Sequence, residues 1–146
     1  MNARFDVLAT PIAGLQVLQR KPIGDDRGYL ERLFCMDELQ ALLPGKRIEQ
    51  INHTLTSGRG TVRGLHFQQP PHAETKFVHC LRGEVFDVAV DLRRDSPTYL
   101  KWVGLTLTAE SAHQVWVPPG FAHGFCVLSE RADVAYKCTD FYVPED

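Results

Sequence analysis

The sequence predicts an all-β fold, an antiparallel barrel of the jelly-roll kind with one short helix. Three observations carry that expectation. Short β-branched runs with period-2 alternation succeed one another along nearly the whole chain. Turn residues separate them at Ser57-Gly58, Arg82-Gly83, Asp95-Ser96-Pro97 and Pro118-Pro119-Gly120. The crossover helices that a parallel sheet would need are missing. Many short strands at close spacing make a sandwich or a barrel, and a barrel of about eight strands can hold one small ligand inside.

Taken in order, the first strand is expected at Leu15–Leu18 and the second at Gly28–Phe34. A helix follows over Met36–Leu43, with Leu39, Leu42 and Leu43 as its buried stripe and Pro44-Gly45 as its stop. Strands then run over Ile48–Thr56, Thr61–Phe67 and Lys76–Leu81. Glu84–Leu92 is the most informative run. Phe86, Val88, Val90 and Leu92 share one face, and Val85, Asp87, Ala89 and Asp91 share the other. Two carboxylates alternating with apolar residues read either as a solvated face or as a polar lumen. Leu100–Thr106, Gln114–Val117, Gly124–Leu128 and Asp133–Thr139 complete the set.

The chain has 146 residues, enough for a single domain spanning 1–146 but not for two comfortable cores. Hydrophobic residues make up 44% and charged residues 23%, which excludes disordered, collagenous and coiled-coil classes. Lys+Arg number 16 and Asp+Glu 18, a net charge of −2, so no basic excess points to nucleic acid or to an anionic membrane. No run approaches the ~18 apolar residues of a membrane span. No signal peptide is read at the start. Cys35, Cys80, Cys126 and Cys138 contain no C-x-x-C pair, so free thiols in the cytoplasm are expected.

His72, His79 and His113 read singly as structural or surface residues. His66 and His123 stand out by their neighbours. His66 lies in Arg63-Gly64-Leu65-His66-Phe67-Gln68. His123 lies in Pro118-Pro119-Gly120-Phe121-Ala122-His123-Gly124-Phe125, whose P-x-G-x-x-H resembles the second motif of the cupin superfamily. The H-x-H of the first cupin metal motif is missing, because Phe67 and Gln68 follow His66. A metal site of three or four ligands is hard to assemble from what remains, so a metal-free site is expected.

Longer segments carry a more specific likeness. Arg63–Gln68, Gly83–Arg93, Asp95–Tyr99 and Gly120–Phe125 strongly resemble the dTDP-4-dehydrorhamnose 3,5-epimerase family. So do Asp26-Arg27-Gly28, Gln50-Ile51-Asn52 and Tyr136-Lys137-Cys138, in order and without a large gap from about Gly14 to the last residue. The resemblance implies a cupin-type double-stranded β-helix, a homodimer, no cofactor, and a nucleotide-linked 4-keto-6-deoxy sugar as substrate. It implies His66 as general base and Tyr136 as general acid. Lys76 and His123 would line the sugar and stabilise an enolate. Arg27, Gln50, Asn52 and Arg63 match nucleotide and pyrophosphate contacts, and Tyr142 matches an aromatic that stacks on the base.

Such chemistry asks for these residue types. Removing a proton beside a ketone with an imidazole is uphill by roughly a dozen pK units, on the order of 16 kcal/mol. The enolate oxygen therefore needs preorganised donors or positive charge. Inversion needs a second group to return the proton from the opposite face.

The sequence departs from the family in two places. Five residues beyond Arg27, where members often carry a glutamate, stands Arg32, with Glu31 before it. Members also usually continue past the position of Asp146 into a segment whose aspartate orients the catalytic histidine. The expectation is a chain without that segment, in which either another carboxylate, with Asp87 the candidate, serves His66, or the enzyme is altered or weak. One geometric demand follows. In an unbroken strand Arg63 and His66 point to opposite faces, so the chain must bulge at Gly64 for both to reach one ligand. Two neighbouring functions stay open: a 3,4-ketoisomerase of the same substrates, and a non-catalytic sugar-nucleotide-binding cupin. A metal cupin is the third alternative.

Overall fold

A computed structural model describes residues 4–70 and 73–140. The strands are β1 (Phe5–Ala9), β2 (Gln16–Arg20), β3 (Ile23–Asp25), β4 (Gly28–Leu30), β5 (Gln50–Ser57), β6 (Val62–His66), β7 (Lys76–Arg82), β8 (Glu84–Asp91), β9 (Trp102–Thr108), β10 (His113–Val117), β11 (Phe121–Val127) and β12 (Arg131–Cys138). One helical turn, α1 (Met36–Leu39), runs on into a 3-10 turn at Gln40–Leu42.

Every strand pair is antiparallel. One sheet has the spatial order β1-β2-β10-β7-β12-β5, the other β6-β11-β8-β9, and β3 and β4 form a separate hairpin. Their inward faces meet in one core. Val78, Val115 and Val134 from the first sheet pack with Val85, Leu107, Phe125 and Val127 from the second. Each fully buried valine or leucine contributes about 1.5–3 kcal/mol by leaving water. This is the jelly roll that the alternation and the turns predicted, and the cupin type is what the family resemblance implied.

A second apolar layer covers the outer face of the larger sheet. Leu39 and Leu43 of the helical segment pack with Leu18 and Phe77, and Phe34 meets Phe77 edge-on at 5.7 Å between ring centroids. The helix is thus an external clamp on β2 and β7, and it leaves the barrel interior free for polar groups.

Several expectations are corrected in detail. β1 and β3 went unread because they lack a period-2 signal: only Phe5 of β1 is buried, and all three residues of β3 are exposed. The expected helix over Met36–Leu43 keeps α-geometry only to Leu39. β11 begins at Phe121 rather than at Gly124. Gly124 sits inside the strand, where an added Cβ would lie 2.6 Å from the Arg63 carbonyl oxygen.

The ambiguity of β8 is resolved inward. Asp87 is 1% and Asp91 0% exposed, on the same face as buried Val85 and Ala89. Buried carboxylates survive only with partners. For Asp91, burial pushes the pKa up, but hydrogen bonds from Arg93, Ser96 and Thr98 outweigh it and hold the group below the ordinary carboxylate range. That network pins the Asp95-Ser96-Pro97 turn beside the barrel.

Candidate active site

A cleft of about 280 Å³ opens between the two sheets. Arg63 and His66 reach it from β6, Lys76 from β7, His123 from β11 and Tyr136 from β12. A smaller pocket adjoins it, sharing His66, Lys76 and Tyr136 and adding Gln50, Asn52 and Glu74.

The bulge that the sequence demanded is present. β11 pairs His123 with His66 but Phe125 with Arg63, so Gly64 and Leu65 together oppose the single residue Gly124. Gly64 has φ of +106°, and an added Cβ would lie 2.7 Å from the His123 carbonyl oxygen. Only glycine combines that backbone with that approach. Arg63 and His66 consequently face one cleft. Thr56 fixes Arg63, whose Nε donates to the Thr56 hydroxyl at 2.6 Å.

His66 stands at the mouth of the cleft, open to an incoming ligand. Burial of part of the ring, then the positive charges of Lys76 and His123, push its pKa down to about 4. At neutral pH the imidazole therefore carries a lone pair. The Lys76 ammonium lies 3.3 Å from His66 Nε2, donating to it, and 3.2 Å from the Glu74 carboxylate. The same ammonium is 6.0 Å from the centroid of the Tyr136 ring. His66 and Tyr136 come from opposite sheets, so a sugar ring lying between them would meet one on each face.

The role expected of Asp87 is corrected. Its Oδ2 lies 2.8 Å from Nε2 of His123, not against His66. β8 and β11 are adjacent, with His123 opposite Ala89 and Phe125 opposite Asp87, so the carboxylate reaches its diagonal neighbour on the inward face. That contact fixes the orientation of the His123 ring. Arg27 is not brought to the cleft either. It sits at the turn of the β3–β4 hairpin with its side chain 90% exposed, paired with Asp25 at 2.6 Å. Tyr142 lies outside the described residues. Gln50 and Asn52 reach the adjoining pocket rather than the main cleft.

Glu74 and Thr56 were not foreseen. The signal for Glu74 was present: it precedes Lys76 by two positions, and in extended chain such residues share a face.

Comparison with known proteins fits this geometry. Residues 9–146 match the model of the dTDP-4-dehydrorhamnose 3,5-epimerase family. The chain belongs to that family. It is 46% identical over 140 residues to the dTDP-4-dehydrorhamnose 3,5-epimerase of Shigella flexneri, covering 94% of this chain and 76% of that protein. Its Pseudomonas aeruginosa counterpart is 48% identical over 141 residues, with coverage of 94% and 76%. Among solved structures, the Legionella pneumophila dTDP-6-deoxy-D-glucose-3,5-epimerase in complex with dTDP-4-keto-L-rhamnose superposes with a TM-score of 0.91 at 45% identity. That match covers 97% of this chain and 75% of the Legionella chain. Among the family's conspicuous segments, Arg63–Gln68 and Gly120–Phe125 build the two sides of the bulge and so create the cleft.

Proposed function

We propose that this family member inverts C3, C5 or both in a nucleotide-linked 4-keto-6-deoxy sugar, by proton transfer through an enolate. The observation that carries the mechanism is the placement of an unprotonated His66 and a phenol, Tyr136, on opposite sheets across one cleft. His66 Nε2 takes the proton beside the ketone. The C–H electron pair becomes the carbon–carbon double bond of the enolate, and the carbonyl pair moves onto the C4 oxygen. Lys76 stabilises that oxygen as a cation; His123, whose Nε2–H is spent on Asp87, supports it as an imidazolium through the second N–H at Nδ1. Tyr136 returns a proton to the other face; its phenolate is then reprotonated from solvent, and His66 gives up to solvent the proton that it took.

The adjoining pocket supports a nucleotide site there, with Gln50 and Asn52 as hydrogen-bonding groups, and Arg63 in the main cleft is read as the pyrophosphate contact. No metal or redox cofactor enters this scheme: protons move and oxidation states do not change. The four free thiols support a place in the cytoplasm. Ile23, Tyr29 and Leu30 expose apolar surface on the β3–β4 hairpin, which supports a homodimer that covers it. Light scattering tests the dimer: a mass of one chain at micromolar concentration overturns it.

The reaction itself is tested in one NMR tube. With dTDP-4-keto-6-deoxyglucose in D₂O, deuterium is expected to enter at C3, at C5 or at both, while the ketone stays at C4. A ketone that migrates to C3 would instead identify a ketoisomerase. No deuterium entry with this or any other nucleotide-linked 4-keto sugar would leave a binding protein.

A further inference from the structure

In the cleft, the residue expected to stabilise the enolate lies against the residue expected to act as base. The Lys76 ammonium donates to His66 Nε2 at 3.3 Å, on the nitrogen facing the cleft's cation. An imidazole whose lone pair accepts from an ammonium cannot use that lone pair for carbon. Lys76 must leave His66 before proton transfer, and the C4 oxygen is the group that draws it away. A long, flexible ammonium released from one contact needs another to stay in reach and to stay charged. Glu74 supplies it. Its Oε1 is 3.2 Å from Lys76 Nζ, the carboxylate side chain is only 10% exposed, and it lines the pocket shared with Tyr136.

The other groups around Lys76 cannot do this. His66 and His123 each add positive charge when protonated, and neither offers an anion. Tyr136 lies with its ring face toward the ammonium, 6.0 Å to the centroid, and carries no anion there. Cys138, opposite Lys76 in the β7–β12 register, is a thiol whose pKa burial pushes up to about 12. Among the described residues, Glu74 is the carboxylate that forms an ion pair with Lys76.

We propose that Glu74 is a positioning residue for the epimerase reaction: its carboxylate is the pivot on which Lys76 turns from His66 Nε2 to the C4 oxygen, uncovering the base as it stabilises the enolate. The proposal rests on the proposed epimerase function and adds a coupling to it. Substrate entry itself arms the base, because the ketone oxygen competes with His66 for one ammonium. Lys76 thus plays two successive parts, and Glu74 keeps it available for both.

The test compares Glu74→Gln and Glu74→Asp with wild type by two readouts. The first is the titration midpoint of Lys76, followed by NMR of its side-chain nitrogen in the ligand-free protein. Removing a neighbouring anion disfavours the charged form, so the midpoint in Glu74→Gln is expected to fall by about one pH unit or more, and in Glu74→Asp to stay near wild type. The second is the pH profile of deuterium wash-in. Glu74→Gln is expected to lower kcat by about 10–100-fold with KM within about threefold, and its alkaline limb is expected to move down with Lys76. An unmoved Lys76 midpoint overturns the proposal, whatever the rate. So does a rate loss with unmoved limbs that Glu74→Asp fails to rescue, since a merely structural role would give that result. Absence of wash-in from wild type sinks the epimerase reading instead, and the Lys76 midpoint still reports on the pairing.

Discussion

Replacing His66 by Asn is expected to stop deuterium entry at every carbon of the sugar, a loss of at least ~10²–10⁴-fold. Asparagine keeps a hydrogen-bonding side chain of similar reach but has no site that accepts the proton. The nucleotide groups Gln50, Asn52 and Arg63 are untouched, so dTDP affinity is expected to remain within a few-fold of wild type. This separates lost chemistry from lost folding. The wild-type profile carries its own signature. The base works unprotonated, and burial with the nearby charges of Lys76 and His123 holds its pKa near 4. The rate should be level from about pH 5 up to the alkaline limb that belongs to Lys76, and fall roughly tenfold per pH unit below about pH 4, with no ordinary histidine limb near 6.5. Wash-in at the wild-type rate in the Asn variant would assign the base to another residue.

Replacing Tyr136 by Phe is expected to separate exchange from inversion. The variant still forms the enolate, because His66, Lys76 and His123 are all present. His66 then hands a deuteron back to the face it came from. The product should be deuterated sugar with its original configuration at one centre or more. Inversion should fall by about 10²–10⁴-fold while exchange falls much less. Phenylalanine preserves the ring and its place beside Val134 on the inward face of β12, so the fold is not at risk. If the Phe variant inverts as fast as wild type, the acid is some other group.

Much of this is legible in the sequence itself. The alternation in Glu84–Asp91 and the glycine and proline turns gave a jelly roll, because a barrel interior imposes period-2 burial on each strand. The need for a bulge at Gly64 followed from Arg63 and His66 being three residues apart. What could not be read was pairing across strands. Asp87 and His123 are 36 positions apart, and only the register of β8 against β11 joins them. Asp87 was thus placed in the cleft's machinery but on the wrong histidine. Arg27 was matched by motif alone, and motif does not reveal that its hairpin stands off the barrel. β1 and β3 escaped because exposed strands carry no hydrophobic period. Glu74 was within reach, two positions from a lysine already singled out, yet a carboxylate beside a lysine more often reads as a surface pair.

The bulge in β6 also bears on how such a site can change over time. A regular strand addresses the barrel interior by parity: every second position faces in, and a role is bound to odd or even places. At Gly64 and Leu65 the chain counts two against one on β11, and the parity flips mid-strand. Residues before and after the flip answer to the same interior under different rules. Position 63 can be altered without disturbing the phase that aims His66. A one-residue deletion at the flip is another matter. It would restore the regular count and turn everything on one side of it inside out. The two halves of β6 can therefore drift separately by substitution, while the length of the strand between them is fixed.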